Sequence, residues 1–239
     1  MKPKMVLAIA AMVFASVALP MIVRAGEGHD VPVEWLDSLA AHRWHCSLDS
    51  SLAGYWRHRV MSMTAKDTTM EAMDRFERVT IGADGSKETE LIDSLGNAIP
   101  DSLKEEKKDK DKKKKEKKAV GPLDAFLPAH RDNIHFSWTL GPGPNQVEIA
   151  CETIKEKKGG FNGTVTVDTT TWLPVHSNGT PVPFPTSLVK EMSMDAQYAP
   201  WGDGYAFPTH VVTHVTAKML FIKMNSVSTT DYSHFVGKK

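Results

Sequence analysis

Three hydrophobic patterns follow one another along the chain. Met5 through Leu19 is an unbroken apolar run. Val33, Leu36, Leu39 and Ala40 then fall at helical spacing on one face, just after Pro32. Proline is tolerated in the first turn of a helix, so the spacing predicts an amphipathic helix over Val33–His42. From Gly54 onward the period shortens to two, the signature of half-buried strands. Strands are predicted over Tyr55–Met63, Met70–Ile81 and Ser86–Ile92. Asp84-Gly85 joins the last two, because Asp-Gly supplies the positive φ angles of a tight hairpin. Gly96-Asn97 reads as another turn, and Pro122–Leu127 as a short helix. Asn133–Leu140 places Ile134, Phe136 and Trp138 on one face, and Gln146–Lys155 does the same with Val147, Ile149 and Cys151. Gly141-Pro142-Gly143-Pro144, Lys158-Gly159-Gly160 and Gly202-Asp203-Gly204 punctuate the pattern as turns. Gly163–Asp168 is the next strand. The stretch around Pro181, Pro183 and Pro185 reads as unable to pair centrally, since proline lacks the donor. Lys190–Tyr198 alternates cleanly with Met192, Met194, Ala196 and Tyr198 together, and Phe207–Val215 follows.

The segment Ala217–Met224 departs from alternation. Met219 and Phe221 point one way, while Leu220, Ile222 and Met224 point the other. Read as a strand, it must be covered on both faces. The fold class that follows is mainly β with few helices, a curved antiparallel sheet or incomplete β-barrel whose concave face is covered by helices. No fixed-period repeat is present.

Composition changes this picture in three places. Lys2 and Lys4 precede the first apolar run, which is short against the roughly 20 residues of a membrane-spanning helix. Val23-Arg24-Ala25 closes it as a cleavage site, so residues 1–25 read as a signal peptide and 26–239 as a single exported β-rich domain in the periplasm. Residues 104–118 hold ten lysines and five acids and no apolar side chain. Such a run cannot bury enough surface to offset the entropy of ordering, and it reads as a disordered loop, with transient contact to an anionic membrane surface as the sharper reading. Formal charge is zero overall. With three positive charges in the leader and a net five in this run, the remaining body carries minus eight. A nucleic-acid binder would carry its positive charge across a folded face, so that class is excluded. Cys46 and Cys151 enter an oxidising compartment on this reading, where they either pair as a disulfide or stay as buried thiols.

Several segments resemble the LolA/LolB-like outer-membrane lipoprotein-sorting proteins. They are Gly163-Thr164-Val165-Thr166-Val167-Asp168, Trp172-Leu173-Pro174-Val175, Leu188–Met192 leading to Tyr198, Gly204 with Phe207-Pro208, and Asp231-Tyr232-Ser233-His234-Phe235. The resemblance covers the chain from about Phe136 onward. It implies an incomplete antiparallel barrel closed by helices, with an apolar cavity for lipid acyl chains. No motif matches the family's partner-docking residues, and none is carried over. The lysine-rich run is a departure from its compact members.

Candidate chemistry is sparse. His42, His45 and Cys46 could present metal-binding atoms on neighbouring helical faces, but no fourth ligand stands at a familiar spacing, so no metal site or cofactor is expected. His210 and His214 lie on a strand, about 13 Å apart, too far to share an ion. Asn162-Gly163-Thr164 and Asn178-Gly179-Thr180 match the glycosylation pattern and also the favoured hairpin dipeptide, and the turn reading is preferred. Asp168 reads as a turn former. No serine sits in a nucleophile elbow and no paired acids mark a hydrolase, so a non-enzymatic role is expected. Phe136, Trp138, Met192, Met194, Met219 and Phe221 are the candidate lining of a ligand cavity, with core filling as the alternative for each. The function expected is a periplasmic carrier or binding protein for lipid or lipoprotein acyl chains. The alternative is an envelope structural protein with a filled core that binds protein partners.

Overall fold

A computed structural model describes residues 28–42, 46–66, 68–99, 121–202, 204–219 and 222–238. The predicted leader and the lysine-rich run at 104–118 lie outside the described residues. Eleven strands form one sheet: β1 (His29–Asp30), β2 (Leu52–Ala65), β3 (Thr68–Ile81), β4 (Lys87–Ile92), β5 (Ile134–Leu140), β6 (Gln146–Thr153), β7 (Gly160–Asp168), β8 (Leu173–Val182), β9 (Val189–Pro200), β10 (Ala206–Met219) and β11 (Ile222–Gly237). Their spatial order is β1-β5-β6-β7-β8-β9-β10-β11-β2-β3-β4. Every paired neighbour runs antiparallel. The sheet does not close, and β1 and β4 are its two ends. The mainly β class read from the sequence is the one observed. From β5 to β11 the chain meanders in order. The N-terminal hairpins then attach to the far side of β11 through β2, with Tyr232 opposite Arg57 and Thr230 opposite Arg59.

Helix α1 (Val33–His42) forms where the apolar spacing predicts, and Leu36 and Leu39 are its buried positions. They pack with Phe126 of a 3-10 turn (Asp124–Phe126) onto Phe136, Trp138, Ile149, Val165 and Val167 of β5, β6 and β7. One-turn helices α2 (Leu48–Ser51) and α3 (Pro128–Arg131) complete the cover, and Arg131 donates to Asp37 at 2.7 Å to tie α3 to α1. A middle cluster of Cys46, Leu173 and Ala206 continues the core. Leu123 packs against both this group and the one under α1. A third group, Leu52, Tyr55, Val79, Ile81 and Phe207, lies at the base of β2, β3 and β10.

Two expectations change. Asn162-Gly163 and Asn178-Gly179 are not turns but lie inside β7 and β8, where Gly163 stands opposite Gly179. A Cβ at Gly163 would come within 2.1 Å of the Asn178 carbonyl oxygen, so this crossing is closed to any larger residue. Facing glycines of this kind mark a tight bend of a sheet, and the backbone approach outweighs the local turn preference. Pro181 pairs on one side only, opposite Phe161, in keeping with the reading that this stretch cannot pair centrally. It is tolerated because β8 leaves β9 after Gly179 and needs no donor on that side. Ala217–Met224 is not a strand. Lys218 faces Lys223 and Met219 faces Ile222, so the segment is the tip of the β10–β11 hairpin. No Gly, Pro or Asn marks it, which is why the apolar run read as continuous. Of the two alternatives for Cys46 and Cys151, the structure shows the unbridged one. Both are buried thiols, in different clusters.

Candidate functional site

The pairing registers decide which side chains share the helix-covered face. Ala196 is buried and stands opposite Ser177 on β8 and Val211 on β10. The same row continues through Thr230, Arg59 and Arg75. Two residues along each strand, the next row reads Gly179, Met194, Thr213, Ser228, Met61 and Met73. The row beyond reads Met192, Val215, Ser226, Met63 and Met70. Strand β3 keeps Met70 on this face because Ala72 is bulged out between Glu71 and Met73. Met224, opposite Ala65 and Ala217, belongs to a further row.

Seven methionines, Met61, Met63, Met70, Met73, Met192, Met194 and Met224, therefore lie on one face of one region, β9–β10–β11–β2–β3. They are every methionine whose side chain is described. None is fully buried, and Met70 is 56% exposed. The opposite face of the same strands is mostly polar, with Trp56, Val60, Phe76, Val212 and Val227 among its side chains. It carries histidine–aspartate contacts at His58–Asp74 (2.8 Å), His210–Asp231 (2.6 Å) and His176–Asp195 (3.0 Å). Burial pushes the Asp195 carboxyl up, but hydrogen bonds from Asn178 and His176 and the charges of His176 and His210 outweigh it and leave it below its ordinary value.

The predicted lining residues separate. Met192 and Met194 stand in the methionine rows. Phe136 and Trp138 are on the same face but four strands away, under α1. There the Phe136 ring lies 5.5 Å from Phe126 and the Trp138 ring 5.0 Å from Trp35. The side chain of Met219, all of Phe221 and all of His45 lie outside the described residues. Sequence reasoning missed Met61, Met63, Met70, Met73 and Met224. The alternation on β2 carried a signal for Met61 and Met63, the bulge at Ala72 hid it for Met70 and Met73, and only the β11–β2 pairing brings these four onto one face with Met192 and Met194.

One charged cluster shares this face. Glu77 is buried, and Arg57 Nε donates to its carboxylate. Arg75 Nε approaches it at 3.3 Å and Arg59 Nη1 at 3.9 Å. Among the described residues no group of three or more His, Cys, Asp or Glu is placed to hold a metal ion. No helix among them is long and apolar enough to cross a membrane, which leaves strands untested in that respect.

No protein-family model and no curated protein matches the chain. Solved structures do. The chain is similar to a LolA superfamily protein from Nitrosomonas europaea (10% identity, 85% of this chain and 94% of that one, TM-score 0.36). It is similar to a DUF1329 family protein from Desulfovibrio piger (11%, 87% and 93%, TM-score 0.36). An outer membrane lipoprotein-sorting protein domain from Vibrio parahaemolyticus is a third (12%, 87% and 94%, TM-score 0.36). Superpositions this loose leave the functional reading to the side chains of the sheet.

Proposed function

We propose that the protein is a non-enzymatic carrier in the periplasm that holds lipid or lipoprotein acyl chains against the methionine-bearing face of its sheet. The observation that carries this reading is the confinement of seven methionines to one incompletely buried face, beside a separate core already filled under α1. Methionine is unbranched and polarizable, and it conforms to irregular apolar partners better than branched side chains do. Each methylene taken from water contributes about 0.8 kcal/mol, so a long chain laid across this face is held without any specific polar contact. Surface methionines gathered in this way are costly for a protein that only needs a solvated sheet, because large apolar patches invite association.

Native mass spectrometry after detergent-free purification tests the carrier reading. The expected result is a co-purifying lipid that is lost in Met63→Asp and Met194→Asp while the thermal midpoint stays near that of the parent. Both positions are partly exposed, so a charged side chain there can reach water. An empty protein that instead purifies with a stable protein partner would favour the envelope scaffold.

A further inference from the structure

The arginines beside the methionine rows are out of balance. Arg57, Arg59 and Arg75 face one carboxylate, Glu77, so three positive charges meet one negative and a net charge of plus two remains. Arg59 and Arg75 are directly opposite each other across β2 and β3. Like charges in that position repel, and a sheet gains nothing from keeping them. Glu77 has only 5% of its side chain exposed and takes its closest contact from Arg57. Arg59 and Arg75 are 32% and 45% exposed and keep guanidinium donors that no described residue accepts. The β4 ladder begins at Phe76, so Arg75 sits at an open stretch of the β3 edge. Thr230 continues the row on β11, and Met61 and Met73 occupy the next row on the same face. A site with two spare forked cations at one end and an apolar surface at the other matches an amphiphile with an oxyanion head.

We propose that Arg59 and Arg75, with Arg57 held in reserve by Glu77, bind the phosphate head group of a lipid whose acyl chains lie on the methionine rows. This rests on the carrier reading and names the class of its cargo. Guanidinium forks match phosphate oxygens two at a time, and a phosphomonoester dianion balances the surplus of two charges, which a single carboxylate would not. Apolar surface next to the ion pairs lowers the local dielectric once a chain is in place, so head and tail reinforce each other.

The test uses the full-length mature protein and three short-chain probes: dioctanoyl phosphatidic acid, dioctanoylglycerol and glycerol 3-phosphate. Binding is followed by titration calorimetry at low and high salt, with the parent protein and the Arg59→Gln, Arg75→Gln and Met63→Asp variants. The expected result is that phosphatidic acid binds at least tenfold more tightly than dioctanoylglycerol at low salt, and that salt narrows the margin. Each arginine variant should erase most of that margin, leave dioctanoylglycerol binding unchanged, and melt no lower than the parent because a repulsion has been relieved. Met63→Asp should weaken both lipids. Equal binding of the two lipids, or a margin that survives both arginine variants, overturns the head-group assignment and leaves the carrier reading standing. Glycerol 3-phosphate binding as tightly as phosphatidic acid overturns the lipid as the source of the phosphate. If neither lipid binds, the carrier reading fails, and this proposal fails with it.

Discussion

Asp168 shows how much one side chain can organise. Its carboxylate accepts from the Thr170 hydroxyl and from the backbone N–H groups of Thr170 (2.7 Å) and Thr171 (3.3 Å), closing the turn between β7 and β8. The Thr170 hydroxyl is the main reason its pKa falls below the usual value. Slight burial opposes the shift, and the two backbone donors add to it. A depressed carboxylate favours the folded state while ionised. Its stabilisation is therefore in place above the ordinary value of 3.8 and is lost as pH falls through the folded value below it. Asp168→Ala should lower stability at neutral pH by roughly 0.5–1.5 kcal/mol per lost bond. The gap from the parent, read by chemical denaturation across pH, should shrink under acid. A gap that stays constant from neutral pH to well below 3.8 would assign the loss to the backbone rather than to the charge. Two buried groups behave oppositely. Burial pushes the Cys151 thiol up to about 12, and likewise Tyr198, where a hydrogen bond with Ser177 offsets part of the rise. A thiol so disfavoured as thiolate is an inert core residue.

Among the elements, the β7–β8 pair is tightly constrained. At Gly163 and Gly179 the two backbones come so close that a Cβ on Gly179 would meet the Asn162 carbonyl oxygen and the Phe161 ring at 2.4 Å each. Gly163→Ala and Gly179→Ala should each destabilise by roughly 1–3 kcal/mol or more, since neither backbone can yield without breaking its ladder. Equilibrium urea unfolding reads this directly, and a midpoint unchanged in both variants would mean that the strands can part at little cost. These glycines also show where sequence and structure diverge. Helix α1 and the Asp84-Gly85 hairpin were legible because their signals are local: a 3.6-residue period and a dipeptide that accepts positive φ, here 80° at Gly85. The alternation of Met192 to Tyr198 was legible for the same reason. Asn-Gly reads as a turn by the same local logic, yet the need for a close crossing between two strands overrides it. The reversal from β10 to β11 has no local signal in the sequence, and only the long register of the two strands reveals it.

The whole molecule places two surfaces of different character on one face of one sheet. Under α1 the face is dry and filled, with Phe126, Phe161, Ile149, Val165 and Val167 almost wholly buried. Across β9–β10–β11–β2–β3 it is methionine-bearing and half-open, ending at the arginines around Glu77. No single segment of sequence contains this second surface. Met61 and Met192 are far apart in the chain and share one face of one sheet only because the N-terminal hairpin docks on the C-terminal strand. Five strands make four spacings, so the rows from Met194 to Met73 span about 19 Å. A face of fixed width makes a quantitative demand on any chain it holds. With about 0.8 kcal/mol for each methylene buried and 1.4 kcal/mol for a decade in affinity, two added methylenes should tighten binding by roughly tenfold. That gain should continue only until the chain overruns the rows, after which further methylenes remain in water and add nothing. A homologous series of phosphatidic acids at constant head group, each kept below its critical micelle concentration, separates the two regimes. A steady slope followed by a plateau places the tails on the methionine rows. Affinity that ignores chain length from the start would mean that the face takes no acyl chain, however well the arginines bind phosphate.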